Sequence, residues 1–163
     1  MIKGNVTIYL DAAAGSAGID MTGNGGIVIE PGASLTVYTA GNIKIAGNGV
    51  LNGGSTAASA NQPINFQLWG TSTSTTTKQD IQIAGNGVLS GIVYAPNGSV
   101  KINGNGDVLG SCVANDITVV GNAQFHYDES LGNLGGGNPF RVTNWNEITS
   151  APDRALLYSI MNF

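Results

Sequence analysis

One histidine, His126, stands in the run Phe125-His126-Tyr127-Asp128-Glu129-Ser130, beside two carboxylates. That grouping has the chemistry of a metal ligand set or of an acid/base pair. A transition metal draws three or four ligands, however, and no second histidine or cysteine cluster completes the set. Calcium on Asp128, Glu129 and main-chain oxygens lacks a recognisable calcium loop. The run reads as a polar turn. The single cysteine, Cys112, sits in the apolar stretch Ser111-Cys112-Val113-Ala114 with no histidine placed to activate it, and one cysteine forms no internal disulfide. Ten acids are scattered along the chain; Asp107 and Asp116 are the two that could approach one another, but no register pairs them. There is no Gly-x-Ser-x-Gly elbow. These residues yield no catalytic, cofactor-binding or metal site, and the chain reads as a non-enzyme needing no cofactor.

The elements behind these residues follow from an internal repeat. Gly23-Asn24-Gly25, Gly47-Asn48-Gly49, Gly85-Asn86-Gly87 and Gly104-Asn105-Gly106 recur, with Gly121-Asn122-Ala123 as a degenerate fifth copy. Lacking a following lysine and occurring repeatedly, they are architecture rather than a phosphate loop. Successive starts are 24, 38, 19 and 17 residues apart; the 38-residue step reads as two units, one of which has lost its motif. Units of this size suit the turn of a β-solenoid. Short alternations precede the motifs, as in Ile43-Lys44-Ile45, Ile81-Gln82-Ile83, Val100-Lys101-Ile102 and Ile117-Thr118-Val119, and Val6-Thr7-Ile8 and Leu35-Thr36-Val37 fit the same template. Period two predicts strands. Glycine and asparagine accept positive φ at tight corners, and asparagines in equivalent corners can form hydrogen-bonded ladders.

The predicted fold is all-β: a parallel, right-handed β-solenoid of about six or seven coils over residues 1–131. The predicted core holds Ile43, Ile45, Ile81, Ile83, Leu89, Val93, Val100, Ile102, Val108, Cys112, Ile117 and Val119. Val88, Ile92, Tyr94, Leu109 and Val113 would face outward. Residues 52–60 and 71–78 read as loops, and Ile64–Trp69 as the strand of the motif-less coil. Residues 132–163 read as a Gly/Asn-rich connector, a short strand and a capping helix opened by Ser150-Ala151-Pro152-Asp153, packing on the solenoid.

Composition narrows the function. Six Lys and Arg against ten Asp and Glu give a net charge of −4, which excludes nucleic acid and a basic membrane-surface helix as partners. No apolar run reaches membrane-spanning length, so no membrane insertion is expected. Charged residues are only 10%, and abundant Gly, Asn, Ser and Thr point to an extracellular or cell-envelope setting. Thr7, Thr36, Lys44, Gln82, Lys101 and Thr118 are expected at outward strand centres; the lysines and glutamine interrupt any threonine array of the ice-binding kind.

The stretch from Gly91-Ile92-Val93-Tyr94-Ala95-Pro96-Asn97 to Ser111, then Val120–Glu129 with its Phe-His-Tyr-Asp-Glu run, and the later Trp145-Asn146-Glu147-Ile148 resemble a family of uncharacterised β-helix domains. Those domains lie toward the C-termini of bacterial envelope proteins, including ones with pilin-like or pilus-assembly N-terminal regions. The resemblance covers roughly residues 40–150 and carries no catalytic residues. A weaker similarity links the short Val/Ile/Gly-rich coils to bactofilin-type polymer-forming proteins. The resemblance implies a non-enzymatic structural or adhesive module of a cell-surface or pilus-associated protein, with other envelope or pilus components as partners. A subunit stacking on itself through end coils is the alternative, and a carbohydrate-binding or polysaccharide-cleaving β-helix is the next. A row of outward Tyr, Trp or acids would favour the last; the sequence shows no clear one.

Overall fold

The computed structural model describes residues 1–52, 62–85, 88–105 and 107–133. Alternating apolar and polar residues give eleven strands among them: β1 (Asn5–Leu10), β2 (Ala17–Met21), β3 (Gly26–Ile29), β4 (Ser34–Thr39), β5 (Asn42–Ile45), β6 (Gly49–Asn52), β7 (Phe66–Gly70), β8 (Gln79–Gly85), β9 (Val88–Gly104), β10 (Asp107–Gly121) and β11 (Gln124–Tyr127). Every pairing is parallel, with register shifts only at Ala17/Ile19 and Ala114/Asp116, which builds a three-faced parallel β-solenoid. Face A stacks β1, β4, β7 and the middles of β9 and β10. Face B stacks β2, β5, β8 and the final segments of β9 and β10. Face C stacks β3, β6, the first segments of β9 and β10, and β11.

Inward residues form continuous columns from coil to coil. On face A these are Ile8, Val37, Leu68, Val93 and Cys112; on face B, Ile19, Ile43, Ile81, Val100 and Ile117; on face C, Ile27, Val50, Leu89, Val108 and Phe125. Nine of the twelve predicted core residues, from Ile43 to Val108, are buried. Cys112 is half-buried, and Ile117 and Val119 are 46% and 47% exposed. The parity was right for these three, and their place was not. They belong to the last full coil, where no described strand lies beyond face A or B to cover them. Val88, Ile92, Tyr94, Leu109 and Val113 do alternate outward against buried Leu89, Val93 and Val108.

The 38-residue step is corrected by this topology. Gly47 and Gly85 bracket a single coil, β6–β7–β8, in which long stretches of sequence separate β6 from β7 and β7 from β8. No motif was lost, and Phe66–Gly70 stacks on β4 within that coil. Counted from Ile2, which bridges Ile29 of β3 on face C, the described residues make five coils, with β11 beginning a sixth. Residues 71–78 are loop, with Ser72 buried, whereas Asn52 is wholly buried at the end of β6. The chain divides into Met1–Gly132 and Asn133–Phe163; the expected connector, strand and capping helix lie outside the described residues.

The described residues of the Gly-Asn-Gly copies occupy one corner, between faces B and C, in successive coils. Gly23, Gly47, Gly104 and Gly121 all have positive φ there. Asn48 Nδ2 donates to the Asn24 carbonyl at 2.8 Å, and Asn122 Nδ2 to Asn105 Oδ1 at 3.3 Å, so the predicted asparagine ladder is present at both pairs. Main-chain bonds reinforce it: Ala46 N to Met21 O, Asn48 N to Gly25 O and Asn122 N to Gly104 O. The other corners use buried amides. Gln79 Nε2 donates to the carbonyls of Thr39 and Gly41, and Asn52 exchanges bonds with the Ser90 carbonyl and hydroxyl.

Close stacking makes one glycine far more demanding than its neighbour. A Cβ on Gly47 (φ 77°) would sit 2.1 Å from the Gly23 carbonyl oxygen, while one on Gly23 (φ 71°) would meet nothing within 4 Å. Gly23→Ala should cost about 1 kcal/mol through backbone strain alone. Gly47→Ala should cost about 3 kcal/mol or more, because main chain must move. Urea unfolding of the two variants checks this; equal losses would contradict the stacked-corner geometry.

Candidate functional site

The residues singled out for chemistry are not brought together. His126 is exposed on β11, its Nε2 lying 3.2 Å from Gln124 Oε1. Asp128 Oδ1 accepts the Ser130 amide and so caps the following turn. Among the described residues no group of three or more His, Cys, Asp or Glu could hold a metal. Asp107 opens β10 opposite Gln124 on face C, whereas Asp116 lies opposite Ser99 on face B. Cys112 is half-buried, and burial pushes its thiol up to about 11, so little of the reactive thiolate is present at neutral pH.

Asp116 is instead the centre of a surface cluster. It accepts from Lys78 Nζ at 2.8 Å, from Ser99 Oγ and from Asn115 Nδ2. The Lys78 and Ser99 bonds, then Asn115, hold its carboxyl well below the usual carboxylate range. The cluster ties the 71–78 loop to coil five, a tether between coils.

Two outward features of the solenoid escaped the sequence. The first is a column of rings on face A: Tyr9, Tyr38, Trp69 and Tyr94, in register on four successive coils, with Val113 in the fifth. Tyr9 and Tyr38 stack at 4.8 Å and 9°, Tyr38 and Trp69 at 6.1 Å and 20°, and Trp69 and Tyr94 tilt at 5.2 Å and 50°. A clear aromatic row therefore exists where none was expected. Its rings turn their faces to one another, so the inner members show edges to solvent, and Tyr9, 76% exposed, ends the row. The signal was a repeated dipeptide, an inward aliphatic followed by an outward ring: Ile8-Tyr9, Val37-Tyr38, Leu68-Trp69, Val93-Tyr94.

The second is a trough of about 300 Å³ on face B, lined by Gly15, Ala17, Ile19, Asp20, Asn42, Ile43, Lys44, Asp80 and Gln82. Two outward columns flank it. One runs Ala17–Asn42 and on to Asp80, whose amide donates to Asn42 Oδ1 at 2.8 Å; the other runs Asp20–Lys44–Gln82. Ile43 is 1% exposed, so its main chain, not its side chain, forms the floor. A register shift between Ala17 and Ile19 opens the upper end, where Gly15 and Ala17 carry little bulk.

Comparison with known families places this solenoid. The sequence model of one family, Domain of unknown function (DUF7305), matches residues 2–134. The chain belongs to that family. No curated protein and no solved structure matches it. The DUF7305 match spans all five coils and β11, so the ring column, the trough and the asparagine corners all lie inside the family domain.

Three measurements test these assignments. A double-mutant cycle on Tyr9→Ala and Tyr38→Ala should return a coupling of about 0.5–1.5 kcal/mol, the range for stacked rings; additive losses would deny the column. Cys112 should react with a thiol reagent about a hundredfold more slowly than a free cysteine, and at the free rate in urea. Asp116 has a lowered folded-state value, so its contribution is present above the ordinary carboxylate range and fades as pH falls through that range toward the depressed value. The stability gap between wild type and Asp116→Asn should therefore be constant near neutrality, close in acid, and shrink with added salt; a gap that widens in acid would contradict it.

Proposed function

We propose that this chain is a non-enzymatic structural or adhesive module of a bacterial cell surface, its solenoid unit working as a short rigid rod. The observation carrying this reading is the use of outward side chains for contact between coils. Tyr9, Tyr38, Trp69 and Tyr94 stack along face A, and Asn24 with Asn48, and Asn105 with Asn122, bond along the corner. Such side chains stiffen a rod. Low charge and a polar Gly/Asn/Ser/Thr surface are consistent with an extracellular setting, and the resemblance to envelope and pilus-associated β-helix domains points the same way. Antibody against the folded chain should label intact cells, and incubation with a panel of polysaccharides should release no new reducing or unsaturated ends. Cleavage of any polysaccharide, or labelling only after lysis, would overturn the reading.

A second reading is self-assembly through the end coils. Among the described residues, six of the nine exposed large apolar side chains, Val113, Ile117, Val119, Val120, Phe125 and Tyr127, fall in the last full coil and β11. An apolar patch on the last described strands favours pairing with another copy. Negative-stain microscopy over a concentration series should then show unbranched rods that lengthen with concentration; monodisperse particles throughout would rule it out.

A further inference from the structure

We propose that the face B trough binds a neutral oligosaccharide lying along the solenoid axis. This names a ligand class for the adhesive half of the proposed function and leaves the structural half untouched. Asp20, Lys44, Asp80 and Gln82 line the trough. None of these four side chains has a hydrogen-bond or ion-pair partner among the described residues, although Asp20 and Lys44 are register neighbours. Further along the Asp80 column, Asp116 is by contrast tied down by Lys78, Ser99 and Asn115. The trough thus holds free acceptors and donors over a concave floor, in a volume at the lower end of small-ligand sites.

The order of charges selects the ligand. Along the axis three coils present a carboxylate (Asp20), then an ammonium (Lys44), then a carboxylate and an amide side by side on β8 (Asp80 and Gln82), with about 4.8 Å between coils. A polyanion would meet Asp20 and Asp80, and a polycation would meet Lys44. A chain of hydroxyls suits this mixture, because each hydroxyl both donates and accepts: the carboxylates accept a hydrogen bond from its O–H, and the ammonium and amide donate one to its oxygen. The parallel stack repeats these groups along the axis, so an extended chain engages several coils at once. The ring column on face A competes poorly for the same ligand, since its inner rings are stacked on one another and offer edges rather than faces.

The test is NMR titration of the full chain with neutral tetra- to hexasaccharides built from glucose, mannose, galactose or xylose. At least one should shift signals of residues 17–20, 42–44 and 80–82, with an affinity in the millimolar range or tighter, about 10⁻³ M. Lys44→Ala and Asp80→Asn, both at solvent-facing positions and checked for folding by circular dichroism, should each weaken it about tenfold. Tyr9→Ala should leave it unchanged. The proposal is overturned if no oligosaccharide shifts these signals at about 10 mM, if a uronate polymer or polyphosphate binds better than every neutral sugar, or if Tyr9→Ala abolishes binding while Lys44→Ala does not. Failure here with surface labelling intact removes the ligand and keeps the rod.

Discussion

The corner between faces B and C constrains everything else in the molecule. There the main chain of one coil lies against the main chain of the previous coil, closely enough that a methyl group on Gly47 would overlap the Gly23 carbonyl. Only a residue without a side chain, in the left-handed region, turns the chain there and lets the Asn48 amides reach the Asn24 and Gly25 carbonyls. Once that corner repeats, the register of all three faces is set, because a slip of one residue would turn each inward isoleucine outward. The columns from Ile19 to Ile117 and from Ile27 to Phe125 are consequences of it.

The same register fixes the surface. Each outward residue sits above its equivalent in the next coil, so a side chain repeated by the sequence becomes a column. Face A uses this to stack rings; face B uses it to line up Asp20, Lys44 and Gln82, and a register shift at the start of β2 hollows the surface beside them. Insertions are confined to corners. The lengthened third coil keeps β7 and β8 in register with β4 and β5 although many residues intervene, since loop closure becomes only slowly more costly with length.

Much of this was legible in the residues. Period-two alternation located the strands, and Gly-Asn-Gly located the corner, because both signals are local. What depended on counting coils was harder. The step from Gly47 to Gly85 looks like two units by length, and only pairing shows that Gly85 is the next corner after Gly47. The rings at Tyr9, Tyr38, Trp69 and Tyr94 are separated by unequal intervals of 29, 31 and 25 residues, so no fixed period brings them together. Ile117 and Val119 have the alternation of core residues, but alternation carries no information about whether another coil follows. The trough needs three coils in register and a bulge, neither of which a single strand pattern contains.

The claim that corner hydrogen bonds between coils hold the stack is tested most directly by native-state hydrogen exchange at the corner amides. Turn amides in loops exchange quickly, because water reaches them. Here Ala46, Asn48 and Asn122 donate to carbonyls of the preceding coil, so they should be protected to the level of the Ile81 and Val100 strand amides beside them. Exchange of these three at the rate of the 71–78 loop, with the strand amides still protected, would show that the corners merely follow the sheets and would contradict the account.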